Sequence, residues 1–89
     1  MGVVVHLPGP LTPFAGGQTR LSIPAARTVG EALEALPPGV RDRVMDEQGR
    51  VRPHVNVFVG DLSIRETGGL GTPLSAGAEL HIIAAVSGG

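Results

Sequence analysis

Residues 51–65 read VRPHVNVFVGDLSIR. Val55, Val57 and Val59 alternate with His54, Asn56 and Phe58. An extended backbone therefore sends the valines to one face and the other three side chains to the opposite one. The β-branched valines favour this pleated state. Gly60-Asp61 is a turn pair that closes a two-residue hairpin into a following strand over LSIR, residues 62–65. The valine face of such a hairpin must be covered, and the flanking sequence supplies the cover.

Upstream, Thr28-Val29-Gly30-Glu31 has the form of a capping box. The Thr28 hydroxyl can accept from the amide of residue 31 while Glu31 reaches back to the Thr28 amide. Val29, Ala32, Leu33 and Leu36 follow at helical spacing and make one apolar stripe. Pro37-Pro38-Gly39 then stops the helix after about two and a half turns. Val40 and Val44, four apart, predict a second short helical turn that ends by Gly49.

Nearer the start, VVVHL (3–7) and TRLSIP (19–24) read as strands, the second with Leu21 and Ile23 on one face. Between them PGPLTPFAGGQ (8–18) is turn chemistry, and its prolines and glycines argue against a helix. Downstream, the loop ETGGLGTPLSAGAE (66–79) offers Leu70 and Leu74 to the core. The last strand is ELHII (79–83), with Leu80 and Ile82 inward. The order β-β-α-(short helix)-β-β-β gives one main helix, which can cover only one face of a sheet. The expected class is α+β: a roll with a mixed sheet of four to five strands, and the order resembles the β-grasp, or ubiquitin-like, fold.

At 89 residues the chain makes a single domain. An apolar share of 42% with 17% charged residues builds a core, and with two aromatics that core must be Val, Leu, Ile and Ala. A net charge of −1 provides no field for nucleic acid or anionic lipid. No apolar run reaches the roughly 20 residues of a membrane span. Met1-Gly2 starts like an acylation signal, but His6 stands where that pattern needs Ser or Thr. A cytoplasmic location is expected, with no nucleic-acid or membrane partner. The absence of cysteine excludes thiolate chemistry on a side chain, and all seven cations are arginines.

Gly88-Gly89 closes the sequence. With 14 glycines present, such a pair arises by chance in about 1 of 40 chains, so alone it decides little. Its setting gives it weight. The segment VNVFVGDLSIR (55–65) and the end GGLGTPLSAGAELHIIAAVSGG (68–89) resemble the corresponding segments of the ubiquitin-like sulfur carriers of the MoaD, ThiS and CysO type. Residues 7–36 resemble the first hairpin and helix of that family. The long TPFAGGQ loop and the AAVSGG ending are most similar to the carriers that serve cysteine biosynthesis. Two departures stand out. Ala76-Gly77-Ala78 replaces an acidic stretch, and Ala84 replaces a proline.

The resemblance implies a protein co-substrate, not an enzyme. An ATP-using, E1-like (MoeB-type) adenylyltransferase would activate the carboxylate of Gly89, and sulfur would displace AMP to leave a thiocarboxylate. A biosynthetic enzyme, cysteine synthase-like or the large subunit of molybdopterin synthase, would then accept the sulfur. No bound cofactor is implied; the ATP belongs to the activating enzyme. The alternatives within this resemblance are a molybdopterin synthase small subunit, a donor for thiamine or tRNA thiolation, and a modifier conjugated to lysines. Gly88 would give clearance in a narrow channel, where a Cβ would collide. Residues 1–83 are expected to form the domain and residues 84–89 a flexible tail, reaching about 20 Å when extended.

Phe58, His81, Ile83 and Val86 are the candidate partner-facing residues. The competing reading buries Phe58 in a second small core under the 66–78 loop. His6, His54 and His81 all fall on predicted strands that a β-grasp sheet would make neighbours, so a zinc cluster is conceivable; with no acidic second shell evident they read instead as solvated or edge histidines, and no metal site is expected. The mixed charges of residues 41–52 read as solvated surface.

Overall fold

The computed structural model describes residues 2–84. Its strands are β1 (Val3–His6), β2 (Arg20–Ile23), β3 (Val55–Val59), β4 (Leu62–Ser63) and β5 (Glu79–Ala84). The α-helices are α1 (Val29–Glu34), α2 (Pro38–Val44) and the single turn α3 (Ile64–Thr67), with 3-10 turns at Gly9–Ala15 and Gly69–Gly71. The sheet order is β2-β1-β5-β3-β4. Two antiparallel hairpins, β1–β2 and β3–β4, form the halves. The last strand enters between them, parallel to β1 and antiparallel to β3.

Alternation decides which side of this sheet is covered. Val3 and Val5, Val55 and Val57, and Leu80 and Ile82 are all buried on one face. Against them lie Val29, Ala32, Leu33 and Leu36 of the first helical segment and Val40 and Val44 of the second. Leu70 and Leu74 pack on the same core as half-buried residues, as their positions in the loop suggest. Burying a side chain such as Leu80 is worth on the order of 1.5–3 kcal/mol.

Four local expectations are corrected. Gly9–Ala15 is a 3-10 helix, although proline-rich. Its Pro10 sits near the start, where a missing amide costs nothing. Buried Leu11 and Ala15 hold it down, and the Arg43 guanidinium lies 3.4 Å over the Phe14 ring. The capping box is half as expected. The Glu31 amide donates to Thr28 Oγ1 at 3.2 Å, but Glu31 Oε1 accepts from the Arg27 amide at 2.8 Å, one residue farther back than expected. The strand expected over LSIR ends at Ser63, where the Ser63 hydroxyl accepts from the Arg65 amide to cap α3, and Ile64 turns into the core. Finally, Ala84 pairs with Val55 and belongs to β5, so the strand runs one residue beyond the expected boundary.

The hairpin turn is as expected. Gly60 has φ +59°, which glycine adopts freely, and its amide donates to the Glu79 carbonyl at 3.0 Å. This bond ties the β3–β4 turn to the start of β5.

Leu80→Ala is expected to destabilise the fold by about 2–5 kcal/mol, since a fully buried leucine at the centre of the sheet leaves a cavity. Urea unfolding measures it. A second expectation concerns acid. The Arg50 amide above all, with that of Gln48, holds the Asp46 carboxyl below its ordinary value of 3.8. A depressed folded value stabilises above the unfolded one and is lost as pH falls through the folded one. Asp46→Ala should therefore flatten the loss of thermal stability below pH 3.8 and leave a constant deficit at neutral pH.

Candidate functional site

The face of the sheet away from the helices is the candidate site. Register lays one row of side chains across it: Arg20 of β2 opposite His6 of β1, His6 opposite His81 of β5, His81 opposite Phe58 of β3, and Phe58 opposite Ser63 of β4. Asn56 and Ile83 form the next pair toward the end of β5. Ile83 is 51% exposed, while His81 and Phe58 are half-buried. A shallow groove runs here, lined by His6, Leu7, Phe58, Asp61, His81 and Ile83.

Three of the four expected surface residues, Phe58, His81 and Ile83, are thus brought together. Val86, with Gly88 and Gly89, lies outside the described residues. Phe58 does not sit under the 66–78 loop. That loop is bound to the opposite side, through Val29 donating to the Thr72 carbonyl at 3.0 Å and Leu74 to the Arg27 carbonyl at 2.8 Å. Leu70 covers the valine side of β3.

The histidines divide differently from their sequence placement. His54 lies in the turn before β3 and is exposed. His6 and His81 stack, with ring centroids 4.4 Å apart and planes within 6°. Glu79, two residues before His81 and so on the same face, brings Oε1 to 2.6 Å from His6 Nε2. That hydrogen bond is the main reason the Glu79 carboxyl lies below its ordinary value of 4.5. Sequence reasoning missed Glu79 entirely. Its alternation with His81 is readable and the β-grasp order makes the two strands neighbours, but the register that sets His6 beside His81 and Glu79 is not written in any local pattern.

Residues 5–89 match the ThiS family. The chain belongs to that family. Among its relatives, the sulfur carrier protein CysO of Mycobacterium tuberculosis is 37% identical over 94 residues, with all of both chains covered. Small archaeal modifier protein 1 of Haloferax volcanii is 37% identical over 83 residues, covering 89% of this chain and 91% of the modifier. In the crystal structure of the Amycolatopsis orientalis BexX/CysO complex, the matching chain superposes with a TM-score of 0.87 at 30% identity, over 98% of this chain and 99% of that one. The roll is accordingly the β-grasp of ThiS-family proteins. Among the described residues no helix is long and apolar enough to cross a membrane.

Adjacent residues on β5 test the assignment of faces. Ile82→Ala should cost about 2–5 kcal/mol, whereas Ile83→Ser should stay within about 0.5 kcal/mol of the parent. Equal losses in denaturant titrations would contradict the division into a buried and an open side.

Proposed function

We propose that this chain is a sulfur carrier whose reactive group is the carboxylate of Gly89. The observation that carries the reading is the 37% identity to the mycobacterial sulfur carrier CysO, over a match that spans the whole of both chains.

The chemistry needs no side-chain nucleophile, which fits a sequence without cysteine. The Gly89 carboxylate attacks the α-phosphorus of ATP on an activating enzyme of the E1-like type, and pyrophosphate leaves. Sulfide-level sulfur attacks the acyl adenylate, AMP leaves with the bonding pair, and a thiocarboxylate remains. That sulfur is nucleophilic at neutral pH and passes to an electrophile on the accepting enzyme. Cysteine biosynthesis is the favoured destination, since the CysO name belongs to a full-length relative and the TPFAGGQ loop and AAVSGG ending point the same way.

The folded body supplies what the reaction cannot. Five residues follow Ala84 and span at most about 17 Å when fully extended. Threading them into an active site costs about 1–2 kcal/mol of backbone entropy per residue. Docking must offset this, and the open face with Phe58, His81 and Ile83 offers apolar surface for it. Val86 would continue that surface along the tail. The BexX/CysO complex supports a reading in which such chains dock on a partner protein.

A second reading is favoured by the identity to small archaeal modifier protein 1. A modifier would use the same activation and end as an isopeptide on a target lysine. Gel-shifted conjugates in the native host would mark it.

Intact mass spectrometry of the protein from its native host should show a fraction in which sulfur replaces one oxygen. Adding any residue after Gly89, or making Gly89→Ala, should abolish that fraction and leave the melting temperature unchanged. Complementation of a deletion strain by a C-terminally extended protein would refute the proposal.

A further inference from the structure

We propose that His6, Glu79 and His81 form a binding site for a divalent transition-metal ion of borderline softness, with zinc as the reference ion. The site lies on the open face of the sheet. Each of the three residues presents one ligand atom, and those atoms lie within 4.8 Å of one another. Two imidazoles and one carboxylate are a donor set that suits zinc, and three protein ligands leave a coordination position for water.

The fold places these donors without help from any loop. Glu79 and His81 are two apart on β5 and therefore share a face. His6 is the register partner of His81 on the neighbouring parallel strand. The strands run side by side in the middle of the five-stranded sheet, so the Cα positions are fixed by ladders. The two rings lie 4.4 Å apart beside one carboxylate, and from this stacked arrangement they must turn out of parallel for their in-plane nitrogen lone pairs to converge on one ion.

Binding requires a small rearrangement. Ligand atoms around a tetrahedral zinc ion stand about 3.3 Å apart, from bonds of about 2.0–2.1 Å. The present contact between His6 Nε2 and Glu79 Oε1 is 2.6 Å, a shared-proton distance. The ion takes the place of that proton, and the carboxylate steps back by less than an ångström. Glu79 is 56% exposed and His6 27%, so side-chain rotation suffices. Arg20, opposite His6 in register, adds one positive charge nearby, and the Glu79 carboxylate offsets it. His54 is not part of the site.

Zinc chloride titrated into the full-length protein at neutral pH, followed by calorimetry and by imidazole nitrogen resonances, tests the site. One ion should bind per chain, moving the His6 and His81 resonances and leaving His54 in place. The melting temperature should rise by about 10 °C or more at 100 times Kd. His81→Asn and the milder Glu79→Gln should each weaken binding at least about tenfold, while His54→Asn binds as the parent does. All three variants lie at half-buried or exposed positions, and their metal-free melting curves serve as the folding control. Equal affinity of the parent and a His6→Asn/His81→Asn double variant, shifts confined to His54 or the chain ends, or no saturable binding below about 1 mM would each overturn the proposal.

Discussion

The insertion of β5 between β1 and β3 is the constraint on which the molecule depends. Each hairpin alone is a marginal two-stranded ribbon. Five register pairs to β3 and three to β1 join them into one sheet. The same strand contributes Leu80 and Ile82, which complete the apolar layer under α1 and α2. Because β5 comes last in sequence, the fold closes only when its end is in place. The Gly60 amide on the Glu79 carbonyl sets where that strand begins.

Strand period two then turns one structural requirement into two surfaces. Every inward residue of β5 commits its neighbours outward: Glu79, His81 and Ile83 face solvent because Leu80 and Ile82 cannot. The helices, the 3-10 segment at Gly9–Ala15 and the loop carrying Leu70 and Leu74 all lie against the apolar side. Among the described residues, no element covers the open side. What gathers there, a phenylalanine, an isoleucine and two histidines beside a carboxylate, gathers by register and not by sequence proximity.

That distinction explains what the sequence disclosed. The valine alternation of β3, the apolar stripe from Val29 to Leu36 and the Gly60-Asp61 turn are all local signals, and each matches the structure. So does the inward setting of Leu80 and Ile82. Errors fell where tertiary contacts outvoted local propensity. Prolines argued against a helix at residues 9–15, yet Leu11 and Ala15 gain enough by burial to hold a 3-10 geometry that those prolines tolerate. LSIR alternates like a strand, yet Ile64 is drawn inward and the Ser63 hydroxyl caps a helical turn instead. The grouping of His6 with His81, and the exclusion of His54, follow from a parallel pairing across 75 residues of sequence. No window of local pattern contains that pairing. Glu79 went unnoticed for the same reason, since its partner stands on another strand.

Strand β5 also couples the body to the chain end. Among the described residues, β5 beyond His81 pairs with β3 alone, and Ile83 and Ala84 pair with Asn56 and Val55. Anything that grips Phe58, His81 and Ile83 therefore holds the described end of β5, to which residues 85–89 are joined in sequence. On the proposed reading, the reacting carboxylate lies within a sphere of about 17 Å around Ala84 once the body is docked. A short tether of this kind corresponds to an effective concentration in the millimolar range. An isolated Gly-Gly peptide free in solution has no such advantage. Recognition can then reside in the rigid sheet face, and reactivity in two residues too small to be recognised by shape. The division follows from glycine itself, which passes a narrow channel because it lacks the side chain that specific binding would require.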